Sequence, residues 1–272
     1  MVDRYAVMGN PVSHSKSPRI HAQFALETGQ QLEYGTMLVE PGQFPQATRS
    51  FFAAGGKGLN ITVPFKQEAW ALAEQRSEQA ALAGAVNTMF RDANGRLQGH
   101  NTDGIGLVRD IKQNHGGELA GKRLLILGAG GATRGILLPL LQEKPAAICV
   151  ANRTVSKAQE LANLFGSYGK VRGCGFDALV AQQFDWVINA SAASLQGELP
   201  PLPDALLDKD AWCYDLMYAK EPTIFCQWAT QHGAHRSLDG LGMLVEQAAE
   251  SFWLWRGVRP ATAGVLASLR AS

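Results

Sequence analysis

A glycine-rich turn after a short apolar run is the most specific chemical signal in the sequence. Apolar residues 124–127 lead into a turn of small residues, and helical spacing follows at 133–141. The turn consists of Gly128, Ala129, Gly130, Gly131 and Ala132. Glycines allow a tight turn and close approach to a pyrophosphate, and amides at the helix N-terminus bind the anion. Thr133 replaces the third glycine of GxGxxG, so a tight turn without a ligand is the alternative. The setting between a strand and a helix favours a dinucleotide site.

Basic residues after the next predicted strand indicate which dinucleotide fits. An NAD enzyme usually places Asp or Glu there to bind the ribose 2′-hydroxyl. This chain has Asn152, Arg153 and Thr154, with Lys157 one helical turn further on. Arg153 can contact a 2′-phosphate with its planar guanidinium, and Lys157 adds a positive charge. A solvated basic helix start is the alternative. Because cations at a helix N-terminus oppose the dipole, the pattern favours NADP over NAD.

Mostly uncharged polar side chains form a second set of candidates in the N-terminal part of the chain. Each lies before a predicted helix or near a predicted strand end, where open α/β sheets bind ligands. Taken singly, most such residues are turn formers or helix caps. Together they offer the donors and acceptors that suit a small polyhydroxylated acid. The set comprises Ser13, Ser15, Ser17, Asn60, Thr62, Lys66, Asn87 and Asp103.

Lys66 stands out within this set. Pro64 marks a helix start, which places Lys66 in the first helical turn, where the dipole disfavours a cation. Either the helix boundary differs by a few residues, or a carboxylate compensates a lysine that is held there for chemistry.

Alternating strands and helices must position these residues, and they predict an α/β protein. Strands are expected at 5–8, 38–39, 59–63, 86–90, 122–127, 147–151, 184–190 and 211–215. Helices are expected from Ser17, at 44–54, 65–75, 133–141, 155–165 and 241–255, and from about Thr262. The second series is a βαβαβ mononucleotide-binding pattern. The helical C-terminus is expected to pack back on the first domain.

Length and composition limit the classes of protein. At 272 residues the chain predicts two domains, and a net charge of +1 with 46% hydrophobic residues excludes a disordered chain or a polycationic nucleic-acid binder. No apolar run is long enough to cross a bilayer and no secretion signal is present, so we expect a cytoplasmic protein without a membrane partner. The four cysteines are widely spaced, which favours free thiols in a reducing compartment. His232 and His235 have no further candidate ligands near them in sequence, so we expect no metal site there.

Several motifs in order resemble the shikimate dehydrogenases. They are GNPVSHSKSP at 9–18, NITVPFK at 60–66, AGAVNT at 83–88, NTDG at 101–104, GAGGA at 128–132, NRT at 152–154, DLMY at 215–218 and DGLGM at 239–243. The resemblance implies an N-terminal α/β substrate domain with a mostly parallel sheet (1–103 with 240–272) and a Rossmann-type NADP-binding domain (104–239). It also implies reversible, NADPH-dependent reduction of 3-dehydroshikimate to shikimate in aromatic amino-acid biosynthesis.

The same resemblance assigns roles to individual residues. Lys66 and Asp103 become the catalytic pair. Substrate-binding residues are Ser15, Ser17, Asn60, Thr62, Lys66, Asn87, Asp103, Tyr218 and Gln247, with Asn60 taken from the polar set above. Cofactor-binding residues are Glu78, Gly128, Ala129, Gly130, Gly131, Ala132, Asn152, Arg153, Thr154, Lys157, Leu216 and Gly240. The chain departs from the family in having Lys157 for arginine, Leu216 for methionine, and no glycine directly after residues 189–194.

Three alternatives stay open at this point. One is a quinate/shikimate dehydrogenase with broader substrate use and NAD preference, which Arg153 and Lys157 oppose. Another is an NADP-binding sensor without catalysis, which would need Lys66 or Asp103 replaced. A folate dehydrogenase of similar design lacks support from the serine cluster and Asn87. Lys66 can be the proton donor or an electrostatic anchor, and the protein a monomer or a homodimer.

Overall fold

A computed structural model describes residues 2–191, 193 and 197–271 of the chain. The chain divides into two compact units. Unit 1 comprises Met1–Gly106 and Leu244–Ser272, and unit 2 comprises Leu107–Met243. Each unit contains one six-stranded sheet, so the predicted α/β fold with two mostly parallel sheets is confirmed. Among the described residues, no helix combines the length and apolar character that a membrane crossing needs.

Unit 1 begins with alternating strands and helices. Its strands are β1 (Asp3–Gly9), β2 (Leu32–Leu38), β3 (Gly58–Ile61), β4 (Gln75–Arg76), β5 (Thr88–Arg91) and β6 (Leu97–His100). Its helices are α1 (Ser17–Thr28), α2 (Phe44–Ala53), α3 (Lys66–Leu72) and α4 (Glu78–Ala83), and α5 (Asp103–Arg109) begins at its end. The predicted helix over 65–75 ends at Leu72, because the chain then turns extended and the Glu74 amide donates to the Leu97 carbonyl.

The direction of two strands explains how unit 1 gathers its polar residues. The strand order is β2-β1-β3-β5-β6-β4, with β1 parallel to both β2 and β3. In contrast, β5 runs antiparallel to β3, with Asn60 opposite Thr88, and β6 runs antiparallel to β5, with Thr88 opposite His100. The end of β3, the start of β5 and the end of β6 therefore meet at one edge of the sheet.

Unit 2 is a doubly wound parallel sheet. Its strands are β7 (Arg123–Leu127), β8 (Ala147–Ala151), β9 (Val171–Cys174), β10 (Phe184–Asn189), β11 (Leu207–Asp215) and β12 (Arg236–Leu238). Its helices are α6 (Gly131–Gln142), α7 (Val155–Phe165) and α8 (Ile224–Gln231). The order β12-β11-β10-β7-β8-β9 reverses between β7 and β10. Such a switch point is where open α/β sheets bind ligands, beside the carboxyl ends of the strands.

The C-terminal helices return to unit 1, as predicted. They are α9 (Leu241–Arg256) and α10 (Ala263–Arg270). Phe252 of α9 is fully buried and meets Phe24 of α1 at a ring-centroid distance of 5.8 Å. Arg19 of α1 donates to the Ser268 carbonyl of α10 at 3.0 Å. The return of the chain makes unit 1 discontinuous in sequence.

A buried histidine makes unit 1 sensitive to acid. His21 of α1 is fully buried and stacks on Tyr34, and burial lowers its pKa from 6.5 to about 3. Between these values the unfolded chain binds a proton that the native state does not, so stability falls as the pH falls below about 6.5.

We predict that His21→Phe, which keeps an aromatic ring against Tyr34, removes part of this acid sensitivity. Wild-type protein should lose about 2 kcal/mol of unfolding free energy from His21 between pH 7 and pH 5, because one pKa unit corresponds to about 1.4 kcal/mol. Urea unfolding at both pH values measures the loss in each protein. An equal loss in wild type and variant would contradict the assignment to His21.

Candidate active site

An ion pair between Lys66 and Asp103 forms the centre of the polar edge of unit 1. Lys66 is the first residue of α3, which follows β3, and Asp103 is the first residue of α5, which follows β6. Lys66 Nζ donates to Asp103 Oδ2 at 2.6 Å, and the two side chains are 31% and 19% exposed. Asp103 is thus a carboxylate that compensates Lys66, one of the two alternatives that the sequence left open. The partial exposure leaves both side chains accessible to a ligand.

Asn87 holds the other oxygen of the Asp103 carboxylate. It lies directly before β5, and its Nδ2 donates to Asp103 Oδ1 at 2.8 Å. Its own Oδ1 accepts from the Thr102 amide at 2.9 Å. The sequence places Asn87 inside a strand over 86–90, whereas the strand begins at Thr88 and runs antiparallel to β3. This reversal brings Asn87 to Lys66 and Asp103.

Gln247 reaches the same cluster from α9. Gln247 Oε1 lies 3.4 Å from Asn87 Nδ2 and 3.4 Å from Thr102 Oγ1. Its Nε2 donates to the Leu244 carbonyl at 2.9 Å, which fixes the amide. The C-terminal segment therefore supplies one of the predicted substrate residues, although Gln247 lies 160 residues from Asn87 in sequence.

Ser15 and Thr62 lie on the loops that follow β1 and β3, which are neighbouring parallel strands, and Ser17 is the first residue of α1. The Ser17 amide donates to Ser15 Oγ at 3.3 Å, and Ser17 is buried while Ser15 and Thr62 are half-buried. The backbone amide of Asn10 donates to the Val63 carbonyl at 3.0 Å, which joins the two loops. The predicted serine and threonine contacts thus share the sheet edge with Lys66.

Asn60 differs from the other predicted substrate residues because its amide is already bonded within unit 1. Asn60 Nδ2 lies 3.2 Å from the Asn87 carbonyl, 3.2 Å from Thr88 Oγ1 and 3.0 Å from Ser251 Oγ. Its Oδ1 accepts from the Tyr34 hydroxyl at 2.7 Å. Its two amide protons are therefore occupied, which suits a supporting residue better than a donor to a ligand.

The glycine turn of unit 2 offers backbone amides to an anion. Gly128 has φ +101°, and a Cβ there would lie 3.2 Å from the Ser191 amide nitrogen, so the position requires glycine. Gly130 precedes the first turn of α6 and has no side chain that could cap the helix. A Cβ on Gly130 or Gly131 would meet open space. The Ala129 amide donates to Asn152 Oδ1 at 3.2 Å. The exposed first turn of α6 therefore fits a pyrophosphate.

Arg153 and Lys157 lie beside this turn and are available for a phosphate. Asn152 follows β8, the strand beside β7, and its Nδ2 donates to the Thr154 carbonyl at 2.9 Å. Arg153 and Lys157 are exposed, and neither forms an ion pair within the part of the chain that the structure describes. The first turn of α7 contains no acidic residue. This donor set fits a 2′-phosphate and contains nothing that would repel one.

Leu216 and Gly240 are in contact on the loops that follow β11 and β12. A Cβ on Gly240 would lie 2.1 Å from the Leu216 carbonyl oxygen, so only glycine permits this approach. Asp215 is a residue that sequence reasoning left without a role. It is fully buried, and its Oδ1 accepts from Asn189 and from the Met217 amide, both at 3.1 Å. These bonds fix the loop that presents Leu216.

The two remaining predicted site residues are Glu78 and Tyr218. Glu78, a predicted cofactor residue, is exposed at the start of α4 in unit 1, whereas the glycine turn belongs to unit 2. Tyr218, a predicted substrate residue, belongs to unit 2 and is 36% exposed. Ala192 and Ser194, in the segment that lacks the expected glycine, lie outside the described residues.

Comparisons with known proteins agree with the motifs. Residues 7–89 match the shikimate dehydrogenase substrate-binding domain, 110–196 match shikimate/quinate 5-dehydrogenase, and 240–270 match the shikimate 5′-dehydrogenase C-terminal domain. A shikimate dehydrogenase (NADP⁺) of Alkalilimnicola ehrlichii is 58% identical over 99% of both chains.

Solved structures give the same result. The crystal structure of an Ael1 enzyme from Pseudomonas putida is 48% identical and covers 98% of each chain with a TM-score of 0.94. The shikimate 5-dehydrogenase of Thermus thermophilus, solved in complex with NADP(H) and shikimate, is 31% identical with a TM-score of 0.87, over 100% of this chain and 99% of that one. The resemblance inferred from the motifs is confirmed: the chain belongs to the shikimate dehydrogenase family.

Proposed function

We propose that this protein is an NADP-dependent shikimate dehydrogenase, which reversibly reduces the ketone of 3-dehydroshikimate to the alcohol of shikimate. The observation that carries the proposal is the Lys66–Asp103 pair at 2.6 Å, held by Asn87 at the carboxyl edge of β3. A cation and a carboxylate among uncharged hydrogen-bonding side chains suit a small hydroxylated acid. Family membership, at 58% identity to a relative named shikimate dehydrogenase (NADP⁺), supports the same substrate and cofactor.

Lys66 and Asp103 act on the oxygen of the substrate. NADPH supplies the hydride that the ketone carbon accepts. Lys66, close to the ketone oxygen, stabilises the negative charge that develops there or donates the proton that completes the alcohol. Asp103 holds the Lys66 ammonium in place with one carboxylate oxygen, while Asn87 orients the other. In the direction of shikimate oxidation, a neutral Lys66 takes up the hydroxyl proton if Lys66 is the acid of the reverse step.

Further residues bind the substrate and orient its ring. We assign contacts with the substrate to Ser15, Ser17, Thr62, Asn87, Tyr218 and Gln247. Placing a hydroxylated ring in one orientation is the main contribution that a protein makes to hydride transfer, since the cofactor supplies the hydride itself.

Unit 2 has the groups that hold NADP. The amides of Gly130 and of the first turn of α6 bind the pyrophosphate, and Arg153 and Lys157 bind the 2′-phosphate. Asn152, Thr154, Leu216, Gly240 and, in unit 1, Glu78 complete the proposed cofactor contacts. The two units thus serve as the substrate-binding and NADP-binding domains.

The family role places the reaction in aromatic amino-acid biosynthesis. We propose a cytoplasmic enzyme that works as a monomer or homodimer on small molecules, without nucleic acid or membrane. Sedimentation equilibrium of the purified protein distinguishes the two oligomeric states.

A steady-state assay tests the function directly. We predict that shikimate with NADP gives the highest kcat/KM, at least about tenfold above shikimate with NAD, because Arg153 and Lys157 contact a phosphate that NAD lacks. Quinate, which has one more ring hydroxyl, should be turned over more weakly. Higher kcat/KM with quinate and NAD would favour the broader quinate/shikimate dehydrogenase. A lack of turnover with every pair, from protein that binds NADP, would indicate the sensor alternative.

A further inference from the structure

We propose that Tyr34 is a positioning residue for substrate binding, whose hydroxyl fixes Asn60 and, through Asn60, Asn87. The proposal rests on the proposed function, because it takes Asn87 as a substrate contact. Tyr34 lies on β2, outside every motif of the family resemblance and outside the predicted strand at 38–39. It would therefore act through its neighbours and not by touching the substrate.

The Tyr34 hydroxyl joins β2 to the end of β3. It donates to Asn60 Oδ1 at 2.7 Å. Burial raises the pKa of Tyr34 above its ordinary value, so the phenol keeps its proton and stays a donor at working pH. One hydroxyl thus fixes the side chain of Asn60, on the strand that leads to Lys66.

Asn60 in turn hydrogen bonds to residues at the catalytic edge of the sheet. Its amide nitrogen lies 3.2 Å from the Asn87 carbonyl and 3.0 Å from Ser251 Oγ. Without the Tyr34 hydroxyl, Asn60 Oδ1 would be buried without this donor, and the Asn60 side chain would be free to turn away from Asn87. We expect substrate binding to weaken because the side chains are no longer held in one arrangement before the substrate arrives.

The Tyr34 ring and the Tyr34 hydroxyl have separable roles. His21 stacks on the ring at a centroid distance of 4.2 Å and an interplanar angle of 4°. Tyr34→Phe keeps this stack and removes only the hydroxyl. Lys66 donates to Asp103, and Asp103 also accepts from Asn87. Within the described residues neither bonds to Tyr34, so their contribution to turnover should remain.

Tyr5 provides a matched control for loss of a buried tyrosine hydroxyl. Tyr5 lies directly opposite Tyr34 in the β1–β2 register and is 4% exposed. Its hydroxyl accepts from Arg256 Nη1 at 3.3 Å, and its ring stacks on Trp255. Tyr5→Phe therefore removes a hydroxyl from the same sheet without touching Asn60.

The test compares wild type, Tyr34→Phe and Tyr5→Phe in steady-state kinetics, in calorimetric titration with shikimate, and in thermal unfolding. We expect Tyr34→Phe to raise KM and Kd for shikimate about fivefold, the size expected for one hydrogen bond, with kcat and the KM for NADP within about twofold of wild type. Tyr5→Phe should leave all of these kinetic values unchanged.

Two outcomes would overturn the role of Tyr34. One is an unchanged KM and Kd for shikimate in Tyr34→Phe, whatever happens to its Tm. The other is an equal rise in Tyr5→Phe, which would indicate a general effect of loosening the sheet. Failure of wild type to bind or oxidise shikimate would instead contradict the proposed function, so the two failures are distinguishable.

Discussion

Replacing Lys66 by alanine is expected to lower kcat for shikimate oxidation by about 10²- to 10⁴-fold, the usual contribution of a positioned acid or base. The alanine removes the group that gives or takes the proton at the substrate oxygen. It also leaves Asp103, which is 19% exposed, without its cation. NADP binding should stay near the wild-type value, because the proposed cofactor phosphate contacts all lie in unit 2. Steady-state kinetics and NADP titration by fluorescence measure the two effects separately.

Lys57 is the control for this substitution. It lies directly before β3, at the opposite end of the strand from Lys66, and is exposed. Lys57→Ala should keep wild-type kcat. Near-native turnover in Lys66→Ala would disprove the catalytic assignment, as would near-native turnover in Asp103→Asn, which preserves the shape of the side chain and removes its charge.

Lys66→Arg separates the two roles that remain open for Lys66. Arginine keeps the positive charge but does not release its proton at ordinary pH. If Lys66 acts chiefly through its charge, the arginine variant should be clearly faster than the alanine variant. If Lys66 transfers the proton, both variants should be equally slow.

Part of the Rossmann fold could be predicted closely, although β9, α8 and β12 were not predicted. The strand Ala147–Ala151 and the helix Val155–Phe165 have the predicted bounds, because apolar runs, glycines and helical spacing agree there. Short strands with few apolar residues, such as Gln75–Arg76 and Arg236–Leu238, give no such signal. They form because neighbouring strands offer free backbone groups, which a sequence pattern does not record.

Strand direction was the main feature of unit 1 that the sequence pattern could not supply. Side chains alternate between the two faces of the sheet in parallel and antiparallel strands alike. Nothing in residues 86–90 therefore indicated that β5 is antiparallel to β3. For Lys66 the sequence left two alternatives, a shifted helix boundary or a compensating carboxylate, and Asp103 is such a carboxylate. Tyr34 had no comparable signal, since a tyrosine in a strand is usual and its partner Asn60 lies 26 residues away. Asp215 lies in the DLMY motif, but the motif did not indicate its buried hydrogen bonds.

Replacing Arg153 by alanine is expected to weaken NADP binding by about 10- to 100-fold while changing NAD binding by less than about twofold. Hydrogen bonds between charged groups contribute about 1.5–3 kcal/mol, and NAD has no 2′-phosphate with which to form them. Arg153 is exposed and forms no ion pair within the described chain, so its loss should not change the fold. Calorimetric titration of both dinucleotides, supported by KM values, measures the ratio.

A matched arginine on the neighbouring strand tests whether position, and not total charge, produces this selectivity. Arg172 lies on β9, is exposed, and hydrogen bonds to Gln182. Arg172→Ala removes the same charge from unit 2 and should weaken NADP by less than about twofold, whereas Lys157→Ala, which removes a point charge beside the same phosphate, should give a loss between the two. Equal losses of NADP and NAD affinity in Arg153→Ala would contradict a 2′-phosphate contact, because a residue that binds any other part of the dinucleotide affects both cofactors alike.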